Sequence, residues 1–337
     1  MELWTISFPA PGRVARMARR VEAQGWDGLL FTDSQHHNGD TYAALAIAAS
    51  VTERIGLGTG VTNPVTRNPA VTASAILSVQ VESGGRAVLG IGRGDSSLAH
   101  LGLEPAPVDQ LEDYVTKVQR YLRGEPVEQN GHPARLKWIE GIAKPPVDIA
   151  ATGPRVSELA GRVGDWITVA VGADVKRMRR NIELARTARE RAGLDPGSLK
   201  CGAYLNLAAH SDVEVARRVA RGSIGTMAHF SSMSDASVRE VAEADRRVVR
   251  SIGESYELAY HGDVRARHLQ AIDDSFVDRF AIVDTPGRCV ERLRALLDAV
   301  PLERICVMSG SRGADPTEVS EVAECVASEV VPKLRAG

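Results

Sequence analysis

The chain has 337 residues, 44% of them hydrophobic, and a formal net charge of -2. That charge excludes a global basic field for nucleic acid, and no apolar run is long enough to span a bilayer. The opening Met1-Glu2-Leu3-Trp4 lacks the basic-then-apolar pattern of a secretory leader, and Cys201, Cys289, Cys306 and Cys325 follow no metal or redox spacing, so a cytoplasmic protein with small buried thiols is expected.

Strand-like and helix-like segments then alternate. Residues 3–8 read as a first strand. Residues 12–24 read as a helix, with Val14, Met17, Ala18 and Val21 at helical spacing and Gly25 as its stop. Residues 28–32 give strand two and 42–51 an alanine-rich helix. Residues 55–61 give strand three, and 69–81 a helix with proline in its first turn. Strand four is 87–91, followed by a helix at 108–122. Residues 125–146 hold four prolines and two glycines and read as a long loop with room for a short hairpin. Strand five (147–151), a helix (155–163), strand six (166–171), a long basic helix (175–192) read as a solvated face, and strand seven (201–209) follow. Residues 212–273 look helical and polar, without a convincing strand. Strand eight is 304–308, closed by a helix at 316–334. Eight strands separated by helices predict an α/β fold, a closed (β/α)8 TIM barrel spanning 1–337 as one domain, with a helical insertion at 212–280. The alternative, an open doubly wound sheet, needs no such regular count.

In such barrels chemistry gathers where strands end. Strand two exits into Thr32-Asp33-Ser34-Gln35-His36-His37, and strand three into Gly60-Val61-Thr62-Asn63-Pro64. Strand four exits into Gly92-Arg93-Gly94-Asp95-Ser96, strand five into Thr152-Gly153-Pro154-Arg155, and strand six into Gly172. Proline ends the strand-three ladder, and a glycine just upstream permits a bulge with exposed amides, a platform for a flat polar ring. Thr152-Gly153-Pro154-Arg155 opens a helix, so free amides, the Thr152 hydroxyl and the Arg155 guanidinium can share one phosphate.

Each sharp reading has a plainer one beside it. Asp33 either caps a turn or faces the active site. His36 and His37 are a solvated pair or proton donors beside a substrate. Adjacent side chains diverge and no third ligand has suitable spacing, so no metal is expected. Asp95 caps a helix or touches cofactor or substrate. Gly90, Gly92 and Gly94 mimic a dinucleotide motif, but the third glycine is misplaced. The other histidines, His100, His132, His210, His229, His261 and His268, show no pattern in sequence.

Gly60-Val61-Thr62-Asn63-Pro64, Thr66-Arg67-Asn68-Pro69-Ala70-Val71-Thr72-Ala73 and Ser83-Gly84-Gly85-Arg86-Ala87-Val88-Leu89-Gly90-Ile91-Gly92 closely resemble the luciferase-like flavin oxidoreductases. The nearest branch is the deazaflavin-dependent methylenetetrahydromethanopterin reductases. Ala151-Thr152-Gly153-Pro154, Leu159-Ala160-Gly161-Arg162-Val163-Gly164-Asp165 and Val283-Asp284-Thr285-Pro286-Gly287-Arg288-Cys289 continue the match. The resemblance is specific over 25–165 and weak across the helical insertion.

The resemblance implies a barrel that holds coenzyme F420, or FMN, at its open end. It implies a non-prolyl cis peptide at Gly60–Val61 supporting the ring, a carboxylate near the ring at Asp33, an acid after strand four at Asp95, and a phosphate turn at Thr152, Gly153 and Pro154. Related sugar-phosphate dehydrogenases carry a catalytic histidine at the next position. Here it is Ser34, which leaves that role to His36 or His37.

The catalytic set is therefore Asp33, His36, His37 and Asp95. The cofactor set is Asp33, Ser34, Gly60, Val61, Thr62, Asn63, Gly92, Gly94, Thr152, Gly153, Pro154, Arg155 and Gly172. The expected activity is hydride transfer between F420 and a small-molecule substrate in a homodimeric enzyme. An FMN monooxygenase on the same barrel is the alternative. A barrel that only binds a ligand is a third reading, and the intact polar exits argue against it.

Overall fold

In the computed structural model, which describes residues 1–335, eight parallel strands close on themselves. The last two positions of the expected domain, 336–337, lie outside the described residues. The strands are Glu2–Ser7, Gly28–Phe31, Gly56–Thr59, Ala87–Ile91, Val147–Ala151, Trp166–Val169, Lys200–Ala209 and Arg304–Met308. They pair in sequence order. The barrel shuts where Trp166 registers with Lys200, Gly202 with Arg304, and Arg304 with Glu2. The expected (β/α)8 barrel is the observed fold.

Period-two alternation explains why these short apolar runs became barrel strands. Leu29 and Phe31 pack outward against the helices with Leu57, Leu89, Ile149 and Ile305. Leu30, between them, points inward with Trp4, Val88, Tyr204 and Cys306. Both faces are buried, so the strands read as nearly continuous apolar runs.

The N-terminal end of the barrel is filled by a cation held between two indoles. The Arg304 guanidinium lies 4.3 Å from the Trp4 ring centroid and 3.9 Å from that of Trp166. It donates to Asp148 at 3.2 Å and to Glu2 at 3.1 Å, and Asp148 also accepts from the Thr168 hydroxyl. Burial pushes the Asp148 carboxyl up, against the opposing charge of Arg304 and the Thr168 hydrogen bond. Trp4 fits because its neighbours are glycines. A Cβ on Gly28 would stand 2.1 Å from the indole, and one on Gly56 2.4 Å.

Three features depart from the sequence reading. A ninth strand, Ile282–Asp284, pairs in parallel with the upper half of strand seven at Leu207–Ala209; three residues are too few to show a period. The closing helix is not uniform. It runs Pro316–Cys325, widens to a π turn at Val326–Val330 and resumes at Val331–Arg335. The wide turn precedes Pro332, which has no amide to donate. Third, the basic helix, observed at Val175–Arg191, is not wholly solvated: Arg177 is 2% exposed and donates to the Val171 carbonyl and the Ser231 hydroxyl.

Between strand seven and the last strand run helices Val213–Ser232, Asp235–Glu240, Glu243–Ser255 and Asp274–Phe280. The loop at 125–146 contains the antiparallel pair Val127–Gln129 and His132–Ala134. Cys201, Cys289 and Cys306 are buried, and Cys325 is partly exposed.

Candidate functional site

Strand three stops at Thr59, and the peptide bond Gly60–Val61 is cis. Thr62 then rejoins the sheet: its amide donates to the Gly90 carbonyl and its own carbonyl accepts from the Gly92 amide. Val61 is left half-exposed at the top of the barrel interior. Ile6, Ala150 and Met308, also half-exposed, border the same inner core from the ends of strands one, five and eight. Together they make an apolar floor at the barrel mouth.

Asp33 stands beside this floor and is 7% exposed. Its Oδ2 accepts from the Thr62 hydroxyl at 2.7 Å and from Arg67 at 2.6 Å. Burial pushes its carboxyl above the usual range, and the Arg67 charge and the Thr62 hydroxyl only partly offset that. Arg67 spans Asp33 and Asp40, the latter at 2.8 Å, and its guanidinium lies 4.8 Å from the Tyr42 ring centroid. The Tyr114 hydroxyl donates to the Arg67 carbonyl. Asn63 folds its own loop: its Oδ1 accepts from the amides of Val65 and Thr66, each at 3.0 Å. Ser34 sits with its hydroxyl 3.4 Å from that of Ser96.

Asp95 precedes the short helix Ser96–Ala99 but its side chain makes no capping hydrogen bond. It turns instead toward the helix Val213–Ser232 and the segment beyond it. Its Oδ1 is 3.2 Å from His229 Nε2, and its Oδ2 is 3.5 Å from His261 Nδ1. Burial pushes the Asp95 carboxyl up, but the His229 hydrogen bond, the two imidazoles and the Ser96 amide outweigh it and hold the group below its ordinary value. Tyr256 binds the pair together: its ring stacks on His229 at 3.6 Å between centroids, and its hydroxyl is 2.9 Å from His261 Nδ1.

Histidines that form no pattern in sequence thus meet at the barrel mouth. His37 Nδ1 accepts from Arg312 at 2.8 Å, and arginine can only donate, so the His37 proton lies on Nε2 and faces His100 Nε2 at 3.1 Å. Burial, chiefly, and the charge of Arg312 push His37 down to about 4. Both its nitrogens are engaged, one by Arg312 and one by His100. His36 is exposed, with its ring centroid 5.2 Å from that of His100. Among the described residues no three His, Cys, Asp or Glu side chains are placed to share a metal ion.

The turn after strand five lies across the mouth. Gly153 precedes helix Pro154–Val163, no side chain caps that helix, and Pro154 occupies its first turn. The Thr152 carbonyl accepts from Asn181 at 3.3 Å, and a Cβ on Gly153 would stand 2.5 Å from the Ser237 hydroxyl. Arg155 is exposed, and its charge is felt by Arg93 after strand four. Gly94 has φ +86° and Gly172 φ +72°; Gly172 is buried against the Phe280 backbone. Gly92 abuts Val61.

The family description Luciferase-like monooxygenase matches residues 4–302. The chain belongs to this luciferase-like family. It is 31% identical over 291 residues to the 5,10-methylenetetrahydromethanopterin reductase of Methanolobus tindarius, covering 85% of this chain and 87% of that protein. It is 30% identical over 333 residues to the 5,10-methylenetetrahydromethanopterin reductase of Archaeoglobus fulgidus, covering 94% and 93%. The coenzyme F420 dependent tetrahydromethanopterin reductase of Methanopyrus kandleri shares the fold, with a TM-score of 0.76 at 21% identity over 99% of both chains.

Within this luciferase-like barrel, the sequence reading named the strand-exit residues and missed their partners. Arg67 lies inside the Thr66–Ala73 motif, where its sequence neighbours give no sign of its partner Asp33. His229, Tyr256, His261 and Arg312 lie 134 to 275 positions from the strand-exit groups that they touch or approach, so no local spacing announces them. The one available signal was chemical: four histidines and two tyrosines within and beside a polar helical stretch.

Proposed function

We propose that this chain is an F420-dependent oxidoreductase that transfers a hydride between the deazaflavin and a small organic substrate. The observation that carries this reading is the apolar floor of Ile6, Val61, Ala150 and Met308 flanked by the uncapped helix at Gly153. A planar ring fits the first and a phosphate the second. Its similarity to two methylenetetrahydromethanopterin reductases, and to a third whose structure is that of an F420-dependent enzyme, supports the same cofactor.

When bound, the deazaflavin supplies a two-electron hydride donor or acceptor. The chain does the rest. Val61 and its neighbours support the ring face. Gly92 and Gly94 keep the strand-four exit low beside it, and Gly172 does so at strand six. Thr152, Gly153, Pro154 and Arg155 hold the phosphate. Asp33, with Ser34 alongside, marks the ring edge and is kept in place by Thr62 and Arg67. Asp95, pressed between His229 and His261 and kept ionised there, accepts the proton that a substrate gives up alongside its hydride. Residues 212–280 act as an insertion roofing the site.

We also propose a homodimer. Helices Thr41–Ala49 and Pro69–Glu82 leave apolar side chains in solvent, with Ile47 44%, Val71 56% and Val81 49% exposed. Four free cysteines fit a reducing cytoplasm. No helix among the described residues is long and apolar enough to cross a membrane.

The family description favours a second reading, an FMN monooxygenase. Titrating the purified protein with F420 and with FMN, followed by oxygen uptake with each reduced cofactor, separates the two. F420 binding without oxygen consumption is expected; tight FMN binding with oxygen consumption overturns the proposal.

A further inference from the structure

At the outer edge of the barrel mouth lies a shallow, solvent-open groove of about 530 Å³, lined among others by Phe8, Gln35, His36, His37, Asn38 and Arg312. No acidic side chain lines it. Arg312 is fixed from behind. Its amide donates to the Gly262 carbonyl and its carbonyl accepts from the Val264 amide. Its Nη1 donates to the neutral His37 at 2.8 Å and to the His261 carbonyl at 3.4 Å. No carboxylate is ion-paired with it among the described residues.

Asp263, an acid in electrostatic reach of Arg312, is already committed. Its two oxygens accept from Arg265 at 2.8 and 2.6 Å. Arg312 therefore carries an unmatched charge, with guanidinium donors beyond those used on His37 and His261. His36 stands exposed beside it, and His100 closes the chain through His37. A fixed arginine with imidazoles around it, and no acid on the groove wall, is a receptor for an oxyanion.

We infer that this vestibule binds an anionic group of the substrate, a carboxylate or a phosphate, through Arg312 and His36, with the His37–His100 pair holding Arg312 in place and reporting on its occupancy. The inference deepens the oxidoreductase reading and rests on it only in calling the occupant a substrate; anion binding is measured without cofactor or turnover.

The test is an NMR titration of the histidine-labelled full chain with inorganic phosphate and, separately, with acetate, at constant ionic strength in chloride. Saturable shifts of the His36, His37 and His100 ring resonances are expected, with His132 and His210 as unaffected controls. Half-saturation is expected at about 1–10 mM, the range for one small ion held by a few charged donors. The tighter of the two anions identifies the group. Arg312→Gln keeps a donor toward His37 and His261 but removes the charge, and it is expected to weaken binding at least about tenfold. F420 affinity of that variant, read in parallel, reports on the cofactor site alone. Absence of saturable shifts at these three rings, or an unchanged titration in Arg312→Gln with a folded spectrum, overturns the inference and leaves the oxidoreductase proposal standing.

Discussion

Asp33 and Arg67, which meet at 2.6 Å across the exits of strands two and three, form an ion pair whose acid is almost fully buried and whose base is a fifth exposed. The pair ties the candidate ring edge to the loop that leads into helix Pro69–Glu82. Burial raises the Asp33 carboxyl and Arg67 is the main force opposing that rise. Arg67→Met is therefore expected to leave a buried carboxylate without its charge partner and to cost about 2–3 kcal/mol in urea unfolding, below the range for a wholly buried pair. Asp33→Asn in the same background is expected to recover part of it. Equal and additive losses in the two single variants and the double would show that the pair is not coupled.

Asp95 and His229 call for a kinetic test, once a substrate is in hand. Asp95→Asn is expected to lower kcat by about 10²-fold or more, with F420 affinity retained. His229 acts as a positioning residue. It helps hold the Asp95 carboxyl low, so His229→Gln is expected to raise that pKa and move the acid limb of the pH–rate profile to higher pH. A profile that falls uniformly, with no displacement along the pH axis, would assign His229 a packing role only.

Stability is expected to fall in mild acid. His37 and His261 are both pushed from an ordinary value of 6.5 down to about 4, in each case chiefly by burial. The folded protein keeps them neutral where the unfolded chain takes up protons. Their contribution is therefore full above about pH 6.5 and is lost as pH falls toward 4. Asp33 and Asp148, whose carboxyls are raised, act in the opposite sense: their contribution is greatest in acid and declines as pH rises through their folded values. Melting temperatures followed from about pH 7 to about pH 4.5 are expected to drop, and to drop less in His37→Gln/His261→Gln. Identical slopes in wild type and variant would assign the acid response to other groups.

The exposed apolar side chains of helices Thr41–Ala49 and Pro69–Glu82 predict a change of assembly on charge insertion. Ile47→Glu/Val71→Arg is expected to halve the mass seen by light scattering and to leave the circular dichroism spectrum intact. A wild-type protein already running at the mass of one chain would refute the dimer.

The barrel was legible because the strands are apolar runs, most of them soon followed by glycine or proline, and because eight such runs with intervening helical patterns have one economical closure. The exits were legible for the same reason: Asp33, Gly60, Asp95 and Thr152 stand where an apolar run stops. What stayed hidden was pairing across the mouth. Asp95 looked like a helix cap because Ser96 follows it, yet its side chain reaches His229, 134 positions away. Arg177 looked solvated because its helix is basic, yet it lies under the last turn of helix Val213–Ser232, bonded to Ser231. Long-range partnerships of this kind depend on how two distant elements are brought together, and no local period carries that information.

The Arg304 stack between Trp4 and Trp166 gives the barrel a blind end. Traffic then has a single doorway, on the side where Asp95, His37 and Arg312 stand. A ring lying on the floor would have to arrive before the molecule above it and depart after it. Such a vessel imposes a compulsory order of loading, which steady-state kinetics would register as an ordered sequence with the cofactor leading.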